Sequence, residues 1–93
     1  MVVFPGGFGT LDEFAEVLTL VQTKKINPLP IVLVGKAFWS PLLDWFRHSL
    51  LEQKLISPGD LDLFCLVESP EEALDVILNY HREHGVGIQN HNI

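Results

Sequence analysis

The glycine-rich segment Pro5-Gly6-Gly7-Phe8-Gly9-Thr10 has the composition most suited to chemistry in this sequence. It follows the short apolar run Val2–Phe4 and precedes a helical pattern, so it joins the carboxyl end of a strand to a helix N-terminus. Ligands bind at this position in open α/β sheets. Free backbone N–H groups and the helix dipole favour an anion there. Glycine permits positive φ and close approach of a phosphate, and the Thr10 hydroxyl can bind a phosphate oxygen or cap the helix.

Two simpler interpretations of these residues stay open at this point. A glycine-rich turn between a strand and a helix can form without a ligand. The segment also lacks the Lys-Ser/Thr pair of a Walker motif and the spacing of a dinucleotide-binding fingerprint. Glu13 follows Thr10 by three residues. That spacing fits a helix capping box as well as a catalytic carboxylate one turn from a bound anion, and spacing alone favours the capping box.

The other reactive side chains do not suggest a second site. The histidines lack metal-ligand spacing supported by cysteines or carboxylates, so we expect no metal. Cys65 lies in an apolar run and is expected to be a small core residue. No lysine has the context of a Schiff-base lysine, so we expect no pyridoxal phosphate or other cofactor. The histidines are His48, His81, His84 and His91, and the lysines, which we interpret as solvated, are Lys24, Lys25, Lys36 and Lys54.

The elements that would position the glycine-rich segment alternate between strands and helices. Continuous apolar runs predict strands, and apolar residues at i, i+3, i+4 spacing predict helices. The predicted strands are Val2–Phe4, Ile31–Gly35 and Leu63–Val67. The predicted helices run from Thr10 to about Gln22, from an N-cap at Ser40-Pro41 to about Gln53, and from Ser69-Pro70 to near His84-Gly85. This order indicates an α/β fold, namely a Rossmann-like open parallel sheet with flanking helices, partial and with about three strands.

Composition and charge exclude several function classes. Twelve acidic and six basic residues give a net charge of −6, which disfavours nucleic acid as a partner. No apolar run approaches the ~20 residues of a membrane span, so we expect no membrane partner. The N-terminus lacks the features of a signal peptide, and the single cysteine can form no internal disulfide. We therefore expect a cytoplasmic protein.

The chain is short and has a high content of apolar residues. Its 93 residues suit one domain, and 47% of them are hydrophobic, although so small a domain buries only a modest core. The sequence also enters an apparent buried strand at Val2. These features lead us to expect a chain that needs a partner surface or that is a piece of a larger domain.

The glycine-rich segment and the residues after it resemble a known family. Pro5 to Glu13, PGGFGTLDE, is similar to the PGGxGTxxE signature of the LONELY GUY family. These proteins are cytokinin riboside 5′-monophosphate phosphoribohydrolases, often labelled lysine decarboxylase-like. Molybdenum-cofactor carrier proteins share a similar signature. The resemblance extends to about His84 through Leu18–Lys25, Pro30–Gly35, Trp39–Trp45 and Leu55–Ser57.

The resemblance implies a reaction and a set of site residues. A nucleoside 5′-monophosphate such as AMP would be cleaved at its N-glycosidic bond to give a free base and ribose 5-phosphate. The resemblance assigns the 5′-phosphate to Gly6, Gly7, Gly9 and Thr10. It assigns to Glu13 the stabilisation of positive charge on the ribose or the positioning of water. It also implies a homodimer, because the corresponding helix lies near a dimer interface in the family.

The sequence departs from the family in its extent. Family members are much longer, and their first half supplies another glycine-rich loop and an Arg-Lys pair, whereas Arg47 and Arg82 have no matching context. We therefore expect residues 1–85 to be the C-terminal half of a Rossmann-like nucleotide-binding domain, residues 86–93 to be a flexible tail, and this chain alone to be inactive. The alternative function is a non-catalytic nucleotide- or phosphate-binding module of the molybdenum-cofactor-carrier type. A third possibility is a fragment that serves only assembly.

Overall fold

Strands and helices alternate in the computed structural model, which describes residues 1–84; the predicted tail 86–93 lies outside them. The strands are β1 (Val2–Val3), β2 (Val32–Val34) and β3 (Cys65–Val67). The helices are α1 (Phe8–Gln22), α2 (Lys36–Trp45) and α3 (Pro70–His84). A π-helical segment, Phe46–Leu51, continues α2, and a 3-10 helix, Pro58–Asp62, precedes β3. In this part of the chain no helix is long and apolar enough to cross a membrane.

The three strands form one parallel sheet in the order β1-β2-β3. Val2 pairs with Val32 across the first strand pair, and Val32 pairs with Cys65 across the second. Each strand therefore neighbours the next one along the chain, and helices form the crossovers between these parallel strands. The predicted α/β class, with a partial Rossmann-like parallel sheet, is confirmed. Within residues 1–84, β1 pairs only with β2, so its other edge has no neighbouring strand there.

Hydrophobic layers cover both faces of the sheet. In the larger layer, α1 and α2 pack on one face; its buried residues are Val3, Phe14, Val21, Ile31, Leu33, Trp39 and Leu43. In the smaller layer, Val32, Val34 and Val67 pack against Ala73 of α3 on the other face. Because β2 is covered on both sides, none of its residues is more than 5% exposed. This double burial accounts for the uninterrupted apolar sequence of β2.

The start of α1 differs from the prediction. The helix begins at Phe8 with Gly7 as its N-cap residue, and not at Thr10. The Leu11 N–H donates to the Gly7 carbonyl over 3.1 Å, so the first turn already encloses Gly9 and Thr10. These two predicted ligand-binding residues therefore lie within the helix and not in the loop before it.

The start of α2 also differs, because the Ser40-Pro41 pair is not its N-terminus. The helix begins at Lys36 after Gly35, and Pro41 lies inside it. Trp39 is 1% exposed and packs edge-on against Phe14 of α1. Burial of Trp39 keeps the turn before Ser40 helical, while Pro41, which cannot donate a backbone hydrogen bond, lies on the exposed side.

The third strand is shorter than its apolar run. Leu63 and Phe64 precede β3, because the 3-10 helix ends with the Leu63 N–H directed at the Asp60 carbonyl. Strand pairing begins at Cys65, whose N–H donates to the Ile31 carbonyl over 3.0 Å. Phe64 instead packs edge-on against Phe14, with ring centroids 5.8 Å apart. The apolar character of this segment thus serves the layer between helices and sheet as well as the strand.

Candidate functional site

A cleft lies between β1 and the first turns of α1, beside the turn that joins them. Met1–Pro5 line one side of the cleft, and Thr10 and Glu13 of α1 line the other, around a volume of about 210 Å³. Thr10 is half-buried and Glu13 is exposed. The structure therefore brings two of the predicted site residues into one cleft, while Gly6, Gly7 and Gly9 lie in the turn and the first helical turn beside it.

The three glycines of the turn have different surroundings. A Cβ atom built on Gly6 would overlap Thr10 Oγ1 and lie 2.9 Å from Thr10 Cβ. A Cβ atom on Gly7 or Gly9 would meet no atom within 4 Å. None of the three has a positive φ, so the turn does not use the left-handed conformation that glycine permits. Gly6 is needed for the approach of Thr10, whereas nothing in the described fold requires glycine at positions 7 and 9.

The first turn of α1 has backbone donors that no side chain satisfies. The Leu11 N–H forms the first helical hydrogen bond, so the N–H groups of Phe8, Gly9 and Thr10 precede the hydrogen-bonded ladder. Gly7 offers no side-chain cap, and this turn contains no acidic residue. Together with the positive end of the helix dipole, these donors are suited to binding an anion.

The capping-box interpretation of Thr10 and Glu13 is wrong. Because α1 starts at Phe8, Thr10 is already the third helical residue, and no side chain forms a capping hydrogen bond at this helix. Both side chains line the cleft instead. Since three residues advance a helix by ~4.5 Å, the Glu13 carboxylate lies about one turn beyond the free N–H groups.

Sequence reasoning missed the contribution of β1 to the cleft. Val2 and Phe4 were expected to be buried in a strand, but they are 36% and 51% exposed and line the cleft. Both extend to the same face of the sheet, because side chains alternate along a strand. The helix α3 covers β2 and β3 on that face and leaves these two side chains uncovered. The sequence carries no signal for this exposure, because Val2, Val3 and Phe4 are all apolar.

The other reactive groups do not form a second chemical site in residues 1–84. No group of three or more histidine, cysteine, aspartate or glutamate side chains is placed to hold a metal ion. Cys65 is half-buried between β2 and α3, and burial raises the pKa of its thiol. A raised pKa keeps the thiol protonated, which suits a packing role and not a nucleophile.

A family model described as "Possible lysine decarboxylase" matches residues 1–77 of the chain. The match includes the turn, α1 and the sheet, and it ends within α3. The chain belongs to this family. The resemblance of the chain to the LONELY GUY family, also labelled lysine decarboxylase-like, is confirmed by this match and by the curated relatives.

Curated relatives of the chain carry a more specific name. A probable cytokinin riboside 5′-monophosphate phosphoribohydrolase of Oryza sativa subsp. japonica, LOGL2, is 30% identical over 84 residues. A cytokinin riboside 5′-monophosphate phosphoribohydrolase of Rhodococcoides fascians is 30% identical over 76 residues. These alignments cover 89% and 82% of this chain but 34% and 38% of the relatives. The chain thus spans about a third of the length of the curated relatives it matches.

Proposed function

We propose that the turn Gly6–Thr10 binds the 5′-phosphate of a nucleoside monophosphate such as AMP. The observation that carries this proposal is the open space at Gly7 and Gly9, where the described fold would accept a Cβ atom. A phosphate on the free N–H groups of α1 needs that space, because its oxygens must approach the backbone closely. A ligand therefore accounts for two glycines that intramolecular packing does not explain.

The reaction proposed for the whole protein is hydrolysis of the N-glycosidic bond. The bond between the base nitrogen and C1′ of the ribose breaks, water adds its hydroxyl to C1′, and the base leaves with a proton. Positive charge develops on the ribose during this step. Glu13 lines the same cleft as Thr10, and this supports assigning to its carboxylate the stabilisation of that charge or the positioning of the water. The names of the curated relatives support this substrate class.

Hydrolysis is expected to need residues beyond those of this chain. Arg47 forms an ion pair with Asp44 in the helical segment after β2, and Arg82 lies in the last turn of α3, where it donates to Asn79. Neither arginine of the chain lines the cleft with Glu13. We therefore expect no adenine release when this chain alone is incubated with AMP. Release at the rate of a complete family enzyme would contradict this expectation.

Calorimetric titration with AMP tests the phosphate site through Gly9. Gly9→Ala meets no atom of the fold and removes a glycine from a helix, so the free energy of unfolding should rise by about 0.5–1 kcal/mol. The same methyl group would obstruct the phosphate and weaken AMP binding by about tenfold or more. Gly59→Ala is the matched control, since Gly59 also has open surroundings but lies in the 3-10 helix. Unchanged AMP affinity in Gly9→Ala would refute the site.

A substitution of Glu13 separates the hydrolase from the non-catalytic binding module. In a full-length protein that contains this chain, Glu13→Gln should lower kcat by about 10²–10⁴-fold. AMP affinity should stay unchanged, because the phosphate contacts are elsewhere. Asp12→Asn is the matched control, since Asp12 is exposed and does not line the cleft. Full turnover in Glu13→Gln would remove Glu13 from the mechanism, and absence of turnover in the unsubstituted protein would favour the binding module.

We also propose a homodimer formed through the surface where α1 meets the π-helical segment and the 3-10 helix. An apolar groove of about 220 Å³ lies there, and Leu18, Phe46 and Leu50 are among its lining residues. Ala15 is exposed and also lines the groove, so Ala15→Glu introduces a charge without removing core packing. Sedimentation should show a monomer for Ala15→Glu and a dimer for the control Ala37→Glu, which is exposed outside the groove. A monomeric unsubstituted chain would contradict the dimer.

The cytoplasmic location stays a prediction.

A further inference from the structure

The basic residues of the chain are distributed unevenly around the sheet. All six belong to the described residues. Five lie away from the carboxyl edge: Lys24 and Lys25 directly after α1, Arg47 in the π-helical segment, Lys54 after that segment, and Arg82 near the end of α3. Lys36 is the exception, because it is the first residue of α2 and follows β2 by two positions. Lys36 is thus the one basic residue whose backbone lies at the carboxyl edge of the sheet, where the glycine-rich turn also begins.

The first turn of α2 lies directly beside the glycine-rich turn. A Cβ atom built on Gly35 would lie 3.3 Å from Pro5 Cγ, so the backbone before Lys36 packs closely against the residue before Gly6. Gly35 adopts φ 107° and ψ 87°, a left-handed conformation that redirects the chain into α2. The turns that follow two adjacent parallel strands therefore meet through Pro5 and Gly35, the residues directly before Gly6 and Lys36.

The charge of Lys36 is unfavourable for the helix that carries it. A cation at a helix N-terminus opposes the macrodipole, whereas an acidic residue there would stabilise the helix by about 0.3–1 kcal/mol. Lys36 is exposed, and in residues 1–84 the one ion pair joins Arg47 and Asp44, so no carboxylate offsets this cost. An anion bound next to the first turn of α2 would reverse the sign of the interaction.

We propose that Lys36 binds the phosphate group held at the N-terminus of α1 and so acts as an additional binding residue of this site. The inference rests on the proposed nucleotide function. The free N–H groups of Phe8, Gly9 and Thr10 supply partial charges only. A phosphate monoester carries about two negative charges at neutral pH. Lys36 provides the full positive charge that this set of residues otherwise lacks, and it selects the phosphorylated ligand over the nucleoside.

Titration of the chain with AMP and with adenosine tests this role. Lys36→Met should lower AMP affinity by about three- to tenfold and leave adenosine affinity unchanged, since an exposed charge contributes modestly. Lys36→Arg should retain most of the affinity, because it keeps the charge. Lys25→Met is the matched control: it changes the net charge equally but lies beyond the far end of α1. Circular dichroism of each variant checks that the fold is retained.

The outcomes distinguish this inference from the function on which it rests. If the unsubstituted chain binds AMP no more tightly than adenosine, the proposed phosphate site itself is wrong. If the chain prefers AMP and Lys36→Met shows the same preference, the phosphate site stands and the role of Lys36 is wrong. Equal losses in Lys36→Met and Lys25→Met would indicate an effect of net charge and would also overturn the assignment of Lys36.

Discussion

The N-termini of α1 and α3 lie at the same edge of the sheet but are completed differently. At α3, the Glu72 N–H donates to Ser69 Oγ over 3.2 Å, and Ser69 Oγ donates to the Glu72 carboxylate over 3.4 Å. Two acidic residues, Glu71 and Glu72, also lie in its first turn. At α1, Gly7 supplies no capping side chain and the first turn has no acidic residue. Thus α3 caps the Glu72 N–H with its own side chain, whereas at α1 no side chain caps the free N–H groups.

This difference shows where the chain gives up helix stability. An N-cap side chain contributes about 1 kcal/mol, and an acidic first turn contributes up to about 1 kcal/mol more. The chain uses both devices at α3 and neither at α1 or α2, the two helices that begin after a glycine. Sites that bind ligands commonly keep such unfavourable arrangements, because the groups that would stabilise the fold occupy the space of the ligand.

The largest expected effect comes from giving α1 the kind of cap that α3 has. Gly7→Asp places a carboxylate at the N-cap of α1, where its Cβ meets no atom within 4 Å. The free energy of unfolding should rise by up to about 1 kcal/mol, because the carboxylate caps the free N–H groups and complements the dipole. AMP affinity should fall by about a hundredfold, since the carboxylate occupies the anion position and repels phosphate. Urea unfolding and calorimetry measure the two changes.

The control for this variant is Gly59→Asp, which adds the same charge in equally open surroundings away from the cleft. It should leave AMP affinity unchanged. A Gly7→Asp protein that binds AMP normally would contradict the contrast drawn between α1 and α3, because the free N–H groups of α1 would then have no role in binding. A Gly7→Asp protein that loses stability together with affinity would indicate that the turn itself had been disrupted.

The next largest effect is expected at Gly35, which also precedes a helix but serves the fold. Gly35→Ala forces a residue with a side chain into φ 107° and places its Cβ 3.3 Å from Pro5 Cγ. The free energy of unfolding should fall by about 1–3 kcal/mol. Gly7→Ala, in open surroundings and with a negative φ, should change stability much less. Urea unfolding of both variants measures the difference, and equal midpoints would contradict the distinction between the two glycines.

Local sequence signals sufficed for parts of the fold where they agree with tertiary packing. The start of α3 was predictable because Ser69, Pro70 and Glu72 all indicate the same N-terminus, and the structure confirms it. The start of α2 was not predictable in this way. Ser40-Pro41 is the stronger local signal, but burial of Trp39 requires an earlier helical turn. Tertiary burial therefore overrides the local preference at α2.

The position of the candidate site could be predicted from the sequence, but the roles of its individual residues could not. The glycine-rich signature locates the turn, yet only the packing shows that Gly6 makes room for Thr10 while Gly7 and Gly9 face open space. Lys36 had the pattern of a solvated lysine, because its position beside the turn depends on the contact between Pro5 and Gly35. That contact joins residues 30 positions apart, and no local pattern indicates it.

The smallest effect is expected from substitution of the serine in two identical dipeptides, Ser69-Pro70 and Ser40-Pro41. Ser69→Ala removes the N-cap of α3 and should lower the free energy of unfolding by about 1 kcal/mol, which corresponds to a Tm about 4–8 °C lower for a domain of this size. Ser40→Ala should leave stability unchanged or slightly raised, because Ser40 lies inside α2 and alanine is the better helix former. Thermal unfolding measures both, and AMP affinity should stay constant in each. Equal losses of stability would mean that the cap at α3 contributes nothing specific, and the contrast with the open start of α1 would then lose its energetic basis.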